Sequence, residues 1–283
     1  MNSYRSYNPY AMTPVVKWLF IVNISVFALS CLLYFQFNFD LNTVLGLYNY
    51  ESENFRPWQF ITYAFAHAYV GQYGNVSFMH LLANMFALYM FGGMVEQRLG
   101  SKKFFIYYMI CALGAVLLYW GYTNYQAYAY QIEISELIRD ITPFDFYNYI
   151  LKYKHMLNEN ALPQIERFYT EWKENPDSAV HITEARKILI MFTDGKNYSS
   201  IVGASGAVYG ILLAFGLLFP EQVLLLFFVL PIKAKYMVLL YGIIEFLFMQ
   251  QFIPGDNVAH LAHLAGMGVG CIILLWWKKK GLV

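Results

Sequence analysis

Six stretches of the chain, near residues 15–36, 78–97, 103–123, 201–219, 234–251 and 257–277, are almost uninterrupted runs of apolar side chains. No other feature limits the fold as strongly. A run of about 20 apolar residues is long enough to cross a hydrocarbon core as a helix, and backbone inside that core has to bond to itself. The expectation is an all-α polytopic membrane protein, a bundle of six transmembrane helices forming a single domain over residues 1–283. Composition agrees, because 13% of residues are charged and 59% hydrophobic, whereas soluble domains carry about 25% charge. A net charge of +1 provides no basic face for nucleic acid, so the lipid bilayer is the expected surrounding. Cys31, Cys111 and Cys271 all lie inside apolar runs and build neither a disulfide framework nor a metal pattern. The first run is too long for a signal-peptide core and reads as a retained anchor.

Orientation follows from the short connections. Arg98, Lys102 and Lys103 separate runs two and three, Lys233 and Lys235 separate four and five, and Lys278 to Lys280 follow six. Positive charge stays on the cytoplasmic side, so both termini are expected there, and the starts of runs four and six open on the exterior. Between residues 124 and 198 lie eleven acidic and eight basic residues, a stretch too long for a plain loop. Ile165, Phe168, Tyr169 and Trp172, then Ile182, Ala185, Ile188, Leu189 and Phe192, recur at helical spacing. They predict an extracytoplasmic helical insertion between transmembrane helices 3 and 4. Two shorter apolar pieces do not span. Trp58 to Ala66 reads as an interfacial segment, and Val223 to Leu230, stopped by Pro231, as a helix end or a re-entrant turn.

Ser205 sits in Gly203-Ala204-Ser205-Gly206 at the mouth of run four, where a polar group below the surface is costly, so its presence suggests chemistry. His263 lies on run six, with Gly266 and Gly270 along the same face for close helix approach. If these helices begin at Ile201 and Asn257, a rise of about 1.5 Å per residue puts Ser205 about 6 Å and His263 about 9 Å below their starts. The two depths are compatible, and a serine nucleophile needs such a base. His263 is the favoured base and His260, one turn higher, the runner-up. Tyr209, one turn below Ser205, either packs on the imidazole or serves as core or lipid-facing bulk. His80 and Asn84 are spaced i, i+4 on one face and, with the Ser205 N–H, would give an oxyanion its donors. Taken singly, each is as well explained by an interhelical hydrogen bond. No carboxylate completes a triad in this reading: Asp256 is placed to cap run six, and Glu245 is an intramembrane charge without an obvious partner. A Ser–His dyad is expected. The histidines lack the His-Glu-x-x-His spacing, which disfavours a zinc intramembrane protease.

Together, Gly203-Ala204-Ser205-Gly206 with Tyr209, His80-Leu81-Leu82-Ala83-Asn84, Ala262-His263-Leu264-Ala265-Gly266 with Gly270, Pro57-Trp58-Gln59, His67, and Gly92 to Gly100 resemble the rhomboid family of intramembrane serine proteases. The resemblance covers most of the chain outside residues 124–198. It implies a bacterial-type six-helix core in a plasma (inner) membrane, Ser205 as nucleophile and His263 as general base. It also implies an oxyanion hole of His80, Asn84 and the Ser205 N–H, Tyr209 stacked on His263, support from Gly203 and Gly206, and helix packing at Gly266 and Gly270. Substrates would be single-pass transmembrane proteins, cleaved without metal or cofactor. The alternative is a noncatalytic relative that binds membrane substrates. Where many members have Trp-Arg, this chain has Trp58-Gln59, and Arg56 is the nearest substitute to reach Glu96. The apolar loop around Phe252 and Ile253 is expected to act as a lid.

Overall fold

A computed structural model describes residues 12–71, 74–154, 161–197, 200–226, 229–250 and 259–283. Phe252, Ile253, Asp256 and Asn257, for which a lid and a helix cap are expected, lie outside the described residues. Helix α1 (Pro14–Phe37) is entered through Pro14 at its first turn, where a missing N–H costs nothing. Val16, Leu19, Asn23, Phe27 and Ser30 are buried along one stripe, while Trp18, Ile21, Ile24, Leu29 and Leu32 are exposed. Polar Asn23 and Ser30 therefore share the inward stripe while the outward face is bulky and apolar, unlike a helix in water. The Asn23 amide donates to the Leu19 carbonyl and the Ser30 hydroxyl to that of Val26. An outer face of this kind is stable against lipid, where backbone and polar groups must be bonded internally.

The first loop is folded. It holds α2 (Asn42–Leu45), α3 (Gln59–Thr62) and a 3₁₀ turn (Tyr63–Phe65), and Tyr63 is driven into the bundle with its hydroxyl donating to the Ala112 carbonyl at 2.6 Å. Gln59 is fully buried. Its oxygen accepts the Arg56 amide at 3.0 Å and its amide donates to the Asn54 carbonyl at 2.8 Å, so a neutral group that both donates and accepts organises this loop. Arg56 does not reach Glu96; its guanidinium donates to the carbonyls of Glu53 and Phe55. The buried Glu96 instead accepts from the Thr13 hydroxyl (2.5 Å), the Val16 amide (2.9 Å) and the Ser101 hydroxyl (2.6 Å). Its carboxylate thus caps the orphan amides that open α1.

The second apolar run forms α4 (Met79–Ala87), a π turn (Leu88–Gly92) and α5 (Gly93–Leu99) in succession. After Gly100, whose φ of 79° lets the chain reverse, comes α6 (Ser101–Leu137). At 37 residues and about 1.5 Å each, it does not stop near residue 123 as the composition change implied, but carries its helix on into the charged stretch. There its end joins α7 (Pro143–Lys152), α8 (Ala161–Glu174) and α9 (Ala179–Asn197). Thr142 caps α7, accepting the Asp145 amide, as a helix N-terminus requires.

Ile134, Phe146, Ile150, Ile165, Trp172, Ala185 and Leu189 make a second apolar core, separate from that of the bundle. The helical spacing that pointed to Ile165 and Trp172 is thereby explained, whereas Tyr169 sits apart, stacked on Tyr147 at 4.3 Å. Trp172 is fully buried and its indole N–H donates to the Pro176 carbonyl at 3.0 Å. Trp172→Ala is expected to destabilise this small core by about 3–5 kcal/mol. Hydrogen exchange should then quicken in α7 and α8 and stay unchanged in the helices of the main bundle.

Helix α10 (Ser205–Leu218) leads to a two-stranded antiparallel hairpin, β1 (Val223–Leu226) and β2 (Leu230–Lys233), with Val223 opposite Lys233 and Leu225 opposite Pro231. The piece read as a helix end or re-entrant turn is thus a strand; Pro231, which has no N–H to give, is accommodated because the hairpin has only two strands. Beside it Glu221 bridges Lys233 and Lys235, and these two lysines hold its carboxyl down at about 2. Helices α11 (Ala234–Gln250) and α12 (His260–Lys279) complete the chain. Pro14–Phe37, Ser101–Leu137 and His260–Lys279 are long and apolar enough to cross a membrane. The other three apolar runs are also helical but shorter or interrupted. The start of α1, the α5–α6 junction and the C-terminus lie at one end of the bundle, tied by Thr13–Glu96–Ser101 and by Lys103 donating to the Leu282 carbonyl.

Candidate active site

Ser205 is the first residue of α10, not the fifth as assumed from the apolar run. Residues ahead of it are extended because their backbone groups bond to the first loop. Ile201 and Leu47 exchange hydrogen bonds at 2.9 and 3.0 Å, and the Gly203 amide donates to the Tyr63 carbonyl at 2.9 Å. The depth of Ser205 therefore comes from a descending strand-like segment. As a first-turn residue its amide has no carbonyl four residues back within the helix, which leaves that N–H available to a ligand. Gly203 has φ 128°, and a Cβ there would lie 2.7 Å from His80 Nε2, so only glycine fits between the serine turn and α4.

Glycines set the helix spacing. A Cβ on Gly266 of α12 would fall 2.0 Å from the Gly206 carbonyl oxygen of α10, and one on Gly270 would fall 2.2 Å from the Tyr107 hydroxyl of α6. This contact brings His263 to α10, where its ring stacks on Tyr209 with centroids 4.2 Å apart and planes 9° from parallel. Of the two positions open to Tyr209, the structure selects the imidazole. His263 is buried.

His80 meets the same turn from α4. Its Nδ1 accepts the Ala68 amide at 3.3 Å, which leaves the proton on Nε2, the atom that faces Gly203. Asn84, one turn along, spends one amide hydrogen on the His80 carbonyl at 2.9 Å and has a second to offer. The His67 ring packs edge-on against His80 at 5.1 Å. Burial, and then its neighbour His80, push the His67 imidazole down to about 3, so this ring stays neutral at physiological pH.

The structure also supplies what the sequence left without a partner. Glu245, buried on α11, accepts His263 Nδ1 at 2.9 Å and His260 Nδ1 at 2.6 Å through Oε2, and the Tyr209 hydroxyl through Oε1. The expectation that no carboxylate faces His263 is therefore corrected. A signal for this existed: Glu245 stands nine residues before Pro254 and His263 nine after it. Antiparallel helices on either side of that midpoint would bring the two level. Ser205, His263, His80, Tyr209, Gly203, Gly206 and Gly266 thus converge on one end of α10, Asn84 adjoins them through His80, and Gly270 supports the packing one turn further along α12.

A bundle of apolar-faced helices enclosing a serine, buried histidines and a carboxylate is an integral membrane protein with an enclosed polar site. The family model described as the Rhomboid domain matches residues 54–132 and 183–279. The chain belongs to the rhomboid family. The unmatched stretch, 133–182, holds most of the second core. An uncharacterised mitochondrial rhomboid protein of Schizosaccharomyces pombe is 28% identical over 235 residues, covering 80% of this chain and 53% of that protein. The chloroplastic Rhomboid-like protein 11 of Arabidopsis thaliana is 31% identical over 106 residues, 37% of this chain and 32% of that protein. The chain thus spans about half or less of the length of these relatives.

Proposed function

We propose that this protein is an intramembrane serine protease that cleaves peptide bonds in or near the spanning helix of single-pass membrane proteins. The observation that carries the reading is the junction at Gly203. There Ser205 opens α10, His80 Nε2 faces the same turn, and Tyr209 holds the His263 ring flat against α10. In this reading all six helical runs span the bilayer. The lysine-rich end of the bundle is cytoplasmic, and the site and the 124–198 insertion lie on the opposite side.

The Ser205 hydroxyl gives its proton to His263 Nε2 as Oγ bonds to the scissile carbonyl carbon. Negative charge then forms on the carbonyl oxygen, where the Ser205 N–H, His80 Nε2–H and the second Asn84 hydrogen are its donors. Collapse breaks the C–N bond and His263 returns the proton to the leaving amine. A water, deprotonated by the same imidazole, then hydrolyses the acyl-enzyme. Substrate enters unwound between α4–α5 and α11, since backbone that leaves its helix must be bonded by protein or water.

The alternative is a noncatalytic relative that binds membrane substrates. The two readings separate in proteoliposomes incubated with a fluorophosphonate and, separately, with a single-pass reporter. A phosphonyl adduct mapped by mass spectrometry to Ser205, together with cut reporter, is the expected result. An intact reporter with no adduct makes the protein a binder.

A further inference from the structure

The geometry points to Glu245 as the positioning residue of His263, completing a Ser205–His263–Glu245 triad where a dyad is expected. This rests on the protease reading and deepens it. A carboxylate inside an apolar helix is retained only where donors satisfy it. Here three donors converge on it from two other helices: Tyr209 from α10, and His260 and His263 from α12.

An ionised carboxylate only accepts, so each histidine facing it must carry its proton on Nδ1. That puts the His263 lone pair on Nε2, the tautomer a general base needs. Stacking on Tyr209 fixes the ring plane, and because the Tyr209 hydroxyl also bonds Glu245, ring and carboxylate are held by the same side chain. When Ser205 gives up its proton, the imidazolium forms against a negative charge already in place. Glu245, His260, Tyr209 and His80 are the titratable groups that surround His263 among the described residues.

The same three ligand types, Glu245, His260 and His263, lie close enough together to hold a metal. The contacts of 2.6 and 2.9 Å from Oε2 to the two Nδ1 atoms are hydrogen-bond lengths. Ligands about 2.0–2.1 Å from a shared tetrahedral zinc stand further from one another than this, so the arrangement is that of direct bonds.

The test uses the full chain in proteoliposomes, with Glu245→Gln and Glu245→Asp compared to wild type. Glu245→Gln keeps the shape but allows the wrong tautomer. It should lower kcat and fluorophosphonate labelling by roughly 10²- to 10⁴-fold with KM for the reporter unchanged. Glu245→Asp, which keeps the charge, should recover part of the loss. Imidazole ¹⁵N spectra should show His263 protonated on Nδ1 in the wild type and not in Glu245→Gln. Wild-type rates in Glu245→Gln overturn the triad and leave the protease reading intact. A wild type that never labels overturns the protease reading; the spectrum then judges Glu245 alone, and an Nε2–H tautomer on His263 rejects it. Activity lost to EDTA and restored by Zn²⁺ also rejects it in favour of a metal centre. If Glu245→Gln does not fold, the wild-type tautomer and the rate of Glu245→Asp decide.

Discussion

Ser205→Ala and His263→Ala are each expected to remove turnover of a membrane reporter almost entirely, by roughly 10⁴-fold or more, and the double variant no further. The reason is that nucleophile and base act as a unit. Without the base, the hydroxyl at the head of α10 keeps its proton; without the hydroxyl, His263 has nothing to deprotonate. The oxyanion donors remain in both variants and set the residual rate. Independent structural roles would instead give losses that add in the double-variant cycle. The measurement is kcat/KM for all three variants in proteoliposomes, beside thermal unfolding to show that the bundle is intact. Additive, modest losses would point to two packing residues and to a binding protein.

Gly266→Ala should be the most damaging single methyl in the bundle. The added Cβ would lie 2.0 Å from the Gly206 carbonyl oxygen, and a backbone carbonyl held in a helix cannot swing aside as a side-chain end can. Helices α10 and α12 must part, and overpacking of this kind costs about 1–3 kcal/mol or more. His263 lies one turn from Gly266 on α12, so separation also draws the base from the serine, and a displacement of about 1 Å can cost about 10²-fold in rate. The expected outcome is a lowered Tm in detergent together with lost labelling of Ser205. Gly268→Ala is the control on the same helix. Nothing lies within 4 Å of its Cβ position, and alanine is the better helix former by about 1 kcal/mol, so Tm should hold or rise. A Tm for Gly266→Ala equal to that of the control would mean that α10 and α12 do not depend on this contact.

Much of the site was legible because its residues stand out against their surroundings. A serine between glycines and histidines inside apolar runs have few uses other than chemistry or interhelical bonding. The glycines at 266 and 270 fell at helical spacing on the face of His263, so a close crossing was readable before any partner was known. Gly203 was legible only as a motif letter; its positive φ and its fit against His80 depend on a chain path that no periodicity encodes. Whether Arg56 reaches Glu96 was not legible, because charge complementarity in a sequence carries no distance: Glu96 belongs to the end of the bundle where α1 begins, and Arg56 bonds within its own loop. The strand at Val223–Leu226 was not foreseen because an unbroken apolar run such as Val223 to Leu230 fits a strand and a helix end equally.

The amino-acid sequence by itself determined that the chain belongs in a bilayer, where most of its helices lie, and which side chains are candidates for chemistry. Bilayer thickness and the need to bond every backbone group translate directly into lengths of apolar sequence. Only the tertiary structure decided what those side chains meet. Placing Glu245 against His263 and His260, turning His80 Nε2 toward Gly203, and starting α10 at Ser205 all follow from contacts between segments distant along the chain. Such contacts depend on how helices rotate and cross, and a single sequence records that only where a missing Cβ leaves the space.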